Sequence, residues 1–117
     1  MKYVLLIHGE EGAWQALSEA ERATQYEGYE KLAREMEERG HLRGAEELDA
    51  ASTGTLVRSR GGETLVADGP FIETKEQLGG YFTVECNLQA ALDYAARIPA
   101  ANGGTVEVRR VVEGPNG

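Results

Sequence analysis

The stretch Lys2-Tyr3-Val4-Leu5-Leu6-Ile7-His8 decides the fold. It is a nearly unbroken apolar run, the pattern of a strand covered on both faces. Side chains alternate along a strand, so Val4, Leu6 and His8 share one face while Tyr3, Leu5 and Ile7 share the other. A polar loop with Gly9 and Gly12 follows, in which Trp14 and Leu17 are the residues able to pack on the body. Ser18-Glu19-Ala20-Glu21 then has the form of a capping box, with Ser18 as N-cap and Glu21 reaching back to it. The helix it starts is predicted to run to about Arg39 and to stop at Gly40. Tyr29, Leu32, Ala33 and Met36 form its apolar stripe. Glu27/Lys31, Glu30/Arg34 and Glu35/Arg39 are four apart with Glu first, the pattern of a solvated helix face.

Further along, Leu42 to Leu48 reads as a strand, and Thr55–Arg58 and Glu63–Val66 flank Gly61-Gly62 as a β-hairpin. Asp68-Gly69-Pro70-Phe71 forces a turn, because Asp bonds the backbone ahead of it, Gly permits unusual dihedrals and Pro ends a ladder. The polar run Glu73 to Leu78 reads as a loop or short helical turn before Gly79-Gly80 and the strand Tyr81–Glu85. Asn87 is the expected N-cap of a second helix through Ile98, with Leu88, Ala91, Leu92 and Ala95 on one face and Pro99 ending it. A final strand alternates Val106 and Val108 with Thr105, Glu107 and Arg109, and residues 113–117 form a frayed tail. The order β-α-β-hairpin-β-α-β predicts one α+β domain over residues 1–112, of the ferredoxin-like split-βαβ kind. Two helices then cover one sheet face. The other face, carrying Val4 and Leu6, needs a cover of its own.

Composition narrows the function. Leu, Ile, Val and Phe number 24 of 117 residues, enough for a thin core that a second chain would thicken. Twelve basic against twenty acidic residues leave a net charge of −8, which disfavours nucleic acid and anionic membrane surfaces. No apolar run approaches the ~20 residues of a membrane span, and His8-Gly9-Glu10-Glu11 cuts short any resemblance to a signal peptide. A soluble cytoplasmic protein is expected. Cys86 stands alone, so neither an internal disulfide nor a thiolate zinc site is expected. Two distant histidines and scattered carboxylates match no metal-ligand spacing, and no phosphate loop or dinucleotide fingerprint occurs; no cofactor is expected.

Asp68-Gly69-Pro70-Phe71, followed by Glu73-Thr74-Lys75-Glu76-Gln77-Leu78-Gly79-Gly80-Tyr81, resembles the signature of the YCII-related family in its DGPF subgroup. The opening Met1 to Ile7, the segment Ala90 to Ala96, Pro99 and the ending Gly103 to Arg109 are similar to that family too. Two positions depart from the subgroup pattern: Ile98 stands where Cys is common, and Arg110 where Pro often follows. The resemblance implies a dimeric α+β barrel in which two ferredoxin-like sheets pack face to face. It also implies a His–Asp active-site pair in some members. Relatives in the wider barrel group are isomerases, dehydrochlorinases or monooxygenases acting on small aromatic or lactone compounds. A link to alternative sigma factor systems is implied for the subgroup.

His8, at a strand end on the face that would line the dimer cleft, is the candidate general acid/base, and Asp68 is its candidate orienting carboxylate. A simpler role for Asp68 is to lock the Gly69-Pro70 bend, and for His8 to bond a nearby backbone group. Glu73, Lys75 and Arg109 are candidate ligand contacts, the two cations suiting a small anionic or aromatic compound. His41 looks exposed and receives no role, and Cys86 reads as a small buried hydrophobe. The expectation is a homodimeric small-molecule enzyme, isomerase- or lyase-like, or a ligand binder. The alternative is a non-catalytic dimeric interaction module.

Overall fold

In the computed structural model, residues 1–68, 76–101 and 103–114 are described. The elements are β1 (Lys2–Gly9), α1 (Glu11–Gln15), α2 (Glu19–Glu38), β2 (Leu42–Glu47), β3 (Thr55–Arg60), β4 (Glu63–Asp68), β5 (Gln77–Glu85), α3 (Leu88–Arg97) and β6 (Thr105–Arg110). Four strands form an antiparallel sheet in the order β2-β5-β1-β6, and β3 and β4 pair as a separate hairpin. This is the ferredoxin-like α+β arrangement expected from the element order, with the hairpin inserted between β2 and β5.

The apolar run of β1 occupies the middle of the sheet, which is why both its faces are apolar. Leu5, fully buried, stands opposite Phe82 on β5 and Val108 on β6. With Tyr3 and Val84 these side chains meet Leu32 and Met36 of α2 and Ala91, Tyr94 and Ala95 of α3. Burying a Leu of this kind contributes about 1.5–3 kcal/mol. The capping box forms as expected, with the Glu21 N–H donating to Ser18 Oγ at 3.1 Å and the Ser18 N–H donating to the Glu21 carboxylate at 2.9 Å. Those bonds hold the Glu21 carboxyl below its usual range. Asn87 likewise caps α3 by accepting from the Ala90 N–H at 2.8 Å. Among the described residues no helix is long and apolar enough to cross a membrane.

Four sequence expectations need correction. The loop after β1 contains the short helix α1, whose five residues are too few for a periodic pattern. Gln77 and Leu78 belong to β5 rather than a loop, because their backbone pairs with Gly9 and His8 despite its polar approach. The buried face of α3 is Ala91, Tyr94 and Ala95, whereas Leu88 and Leu92 are 50% and 45% exposed. His41, finally, is half-buried, with its Nδ1 2.8 Å from the hydroxyl of fully buried Tyr94. The guanidinium groups of Arg39 and Arg97 lie over the Tyr94 ring at 5.2 and 5.5 Å. Arg97 also ties α3 to α2 through Glu35, at 2.5 and 3.0 Å. Of the helix pairs read from spacing in α2, Glu35–Arg39 is formed, at 3.8 Å.

The hairpin stands apart from this core. Gly61 and Gly62 have φ of +57° and +82°, the two positive values that a two-residue type I′ turn requires. Of its strand residues only Leu56 is even half-buried, and Val57, Leu65 and Val66 are 64%, 47% and 66% exposed. The radius of gyration is accordingly 16.3 Å, against about 13 Å for a compact chain of this length.

Candidate functional site

The sheet face turned away from α2 and α3 carries the sequence-predicted histidine. Strand alternation and register place Val4, Leu6 and His8 of β1 there, beside Tyr81 and Thr83 of β5 and Thr105, Glu107 and Arg109 of β6. Val4 and Leu6 remain half-buried even though neither helix covers them. The end of β1 is irregular: Ile7 pairs with Gly80 but His8 with Leu78, so Gly79 is an extra residue in β5. Such bulges re-aim side chains at a strand end. A Cβ on Gly80 would lie 2.8 Å from the Glu46 carbonyl oxygen, so β2 and β5 can approach this closely only with glycine there.

Across the β1–β6 ladder His8 is opposite Thr105, and Glu107, two residues on, is its diagonal neighbour. His8 Nε2 lies 3.8 Å from Glu107 Oε1. That distance is too long for a direct hydrogen bond. The other oxygen, Oε2, accepts from Arg109 Nε at 2.7 Å and lies 2.5 Å from its Nη2. One carboxylate oxygen is thus occupied by the guanidinium and the second faces the imidazole. All three side chains are solvent-accessible, at 30% for His8, 39% for Glu107 and 66% for Arg109. At the rim of the face, the Thr105 hydroxyl donates to the Glu76 carboxylate at 2.8 Å. Chemically this is an imidazole next to a carboxylate, with a guanidinium one step away.

His8 and Arg109, singled out separately in the sequence, are therefore brought together through Glu107. Asp68, the last residue of β4, is exposed and opposite Thr55; its side chain makes no hydrogen bond or ion pair with any described residue, His8 included. Glu73 and Lys75 lie outside the described residues. Sequence reasoning passed over Glu107 as an acid/base partner, and the signal that finds it is the adjacency of the first and last strands in this fold. Cys86 is half-buried, and burial pushes its thiol pKa up, the opposite of what a nucleophile needs. Among the described residues no three His, Cys, Asp or Glu side chains are placed to share a metal ion.

A cleft of about 840 Å³ lies on the helix side of the sheet, and neither His8 nor Arg109 lines it.

Comparison with known proteins gives the lineage and not the reaction. The YCII-related domain matches residues 1–114. An uncharacterized protein of Rhizobium meliloti (strain 1021) is 36% identical over 112 residues, covering 93% of this chain and 90% of that protein. A match across nearly every described element, on the ferredoxin-like α+β fold that the family resemblance implied, leaves one conclusion about descent: the chain belongs to the YCII-related family.

Proposed function

We propose that this protein, a YCII-related member of the DGPF subgroup, is a homodimeric small-molecule enzyme or enzyme-like binder that works on the open face of its sheet. The single observation that carries this reading is the His8 imidazole held 3.8 Å from the Glu107 carboxylate on a face that no helix covers. His8 takes a proton from an acidified C–H of a small ligand and either returns it to another carbon of the same molecule, as an isomerase does, or gives it to the group that departs as the double bond forms, as a lyase does. Glu107 stabilises the imidazolium that forms in between. Arg109 meets the ligand's anionic or carbonyl group; Lys75 and Glu73, the other proposed ligand contacts, lie outside the described residues. Packing of two open faces would exclude water from this chemistry.

Thermal shift against a panel of small aromatic carboxylates and lactones, with the parent and His8→Ala proteins, tests this reading. Binders should raise the melting temperature of the parent in proportion to occupancy, and less so in the variant. Equal shifts in both, with no ligand turned over, would refute it.

A second reading is favoured by one observation, the exposure of Val57, Leu65 and Val66 on the hairpin. In it the dimer is a non-catalytic interaction module, for which a specific complex with an alternative sigma factor in a pull-down is the positive sign.

A further inference from the structure

On the opposite side of the sheet from His8, the cleft of about 840 Å³ is walled by α1, α2 and the β2–β5 edge. Its floor is low because Ala45 and Gly80 supply little or no side chain where the neighbouring positions of the sheet carry Phe82 and Ile7. Its walls are aromatic and fixed. Trp14 of α1 meets Tyr26 of α2 edge-on, with ring centroids 5.4 Å apart, and Tyr29 stacks on Phe82 at 6.3 Å. Burial raises the Tyr29 hydroxyl pKa, so that wall stays neutral through the physiological range.

The charges around these rings have one predominant sign. Five acidic residues line the cleft (Glu10, Glu11, Glu46, Glu47 and Asp49) against the single guanidinium of Arg22. Three of them are anchored rather than loose, Asp49 by accepting from the Ala50 N–H at 2.7 Å. The Tyr26 hydroxyl donates to Glu47 at 2.9 Å, and the Ala51 N–H donates to Glu11. Each anchor uses up one acceptor position and leaves the charge in place. Aromatic faces attract cations, and a ring next to a carboxylate is the arrangement that binds an ammonium group carrying a flat apolar body. An anion entering the same cleft would meet net negative charge in a chain that already carries −8.

We infer that this cleft is a binding site for small aromatic amines, the aromatic body lying between Trp14, Tyr26 and Tyr29 and the ammonium facing Glu47 and Glu10. This site lies beyond the open-face chemistry proposed above and has the opposite charge preference, so either can fail without the other.

Trp14 is the only tryptophan of the chain, and its emission under selective excitation reports on the cleft directly. The full chain is titrated with phenethylamine, 2-phenylethanol and 3-phenylpropionate, three probes that share a phenyl ring and differ in charge. Phenethylamine should change Trp14 emission saturably and bind about tenfold tighter than the alcohol, an ordinary value for one favourable ionic contact, with the acid weaker still. Raising the salt concentration should narrow the gap between amine and alcohol. The double variant Glu10→Gln/Glu47→Gln, in which the amide oxygen still accepts from Tyr26, should bring the amine down to the alcohol's affinity and leave the alcohol unchanged. Circular dichroism confirms that the variant is folded, and Glu47→Gln alone serves if it is not. Binding of the acid as tightly as the amine would overturn the inference. So would a full preference for the amine surviving in the carboxamide variant, or no change in emission with any probe up to roughly 10 mM, where even weak binding of this class is visible.

Discussion

Tyr94→Phe removes one oxygen from the seam between α3 and the loop after α2, and its cost can be worked out in advance. The hydroxyl lies 2.8 Å from His41 Nδ1 while the ring is wholly buried, so the substitution deletes a hydrogen bond and leaves the packing. The ring keeps Arg39 and Arg97 over it at 5.2 and 5.5 Å. His41 is half-buried, so water reaches the orphaned nitrogen and the loss stays near the middle of the usual range, about 1 kcal/mol. Unfolding entropy of ~2.1 cal/mol/K per residue implies roughly 0.25 kcal/mol/K for a chain of this length, so the melting temperature should fall by about 4 °C. Thermal unfolding followed by far-UV circular dichroism reads this, at one fixed chain concentration because any self-association would make the midpoint concentration-dependent. His41→Ala and the double variant complete a cycle, whose coupling term should be about 0.5–1 kcal/mol. A Phe variant melting within ~1 °C of the parent, or strict additivity in the cycle, would refute the assignment of His41 to this bond.

The remaining predictions concern pH, assembly and the core. Tyr26, Tyr29 and Tyr94 all have hydroxyl pKa values raised in the folded state, Tyr26 chiefly by its bond to Glu47 and the other two chiefly by burial. The folded chain therefore holds phenolic protons that the unfolded chain releases, so stability is full below the ordinary tyrosine range near pH ~10 and falls as pH rises through it. Urea midpoints measured between neutral and strongly alkaline pH should show that fall, and a flat profile would contradict it. In the proposed homodimer, Val57→Lys/Val66→Lys should shift sedimentation from twice the chain mass of 12.7 kDa to that mass at micromolar concentration, whereas a mass unchanged by the substitutions would place the hairpin outside the proposed interface. Leu5→Ala should cost about 2–5 kcal/mol by chemical denaturation, and a cost under ~1 kcal/mol would mean that the core tolerates a cavity at its centre.

Much of this fold is legible in the sequence because its signals are local. The capping box at Ser18, the cap at Asn87, the paired glycines of the hairpin and the two-faced apolar strand each draw on contacts a few residues apart. The buried face of α3 was less legible for a reason of size. Ala91 and Ala95 let the helix sit close to the sheet, and the large ring between them, Tyr94, takes the space that hydropathy alone would assign to Leu88 and Leu92. Gln77 and Leu78 read as loop because their side chains are not what makes them strand; the backbone ladder to Gly9 and His8 does that. In the candidate site, His8 was legible from its place at a strand end. Glu107 was not, because only the register between β1 and β6 makes it a diagonal neighbour, and register is set by pairing across almost the whole chain. The aromatic cleft was invisible for the same reason, since Trp14, Tyr29 and Phe82 come from three elements.

The central position of β1 has a consequence for how the chain is made. Its two neighbours in the sheet begin at Gln77 and Thr105, so the most apolar strand precedes the first of its partners by 68 residues, from Gly9 to Gln77. At ~5–20 residues per second of synthesis, that strand waits several seconds outside the ribosome before a partner exists. During that interval the capped helix α2, which packs on β1 in the finished core, is the long helix already made. The −8 charge, much of it placed on the residues that follow β1, then also helps keep the nascent chain soluble.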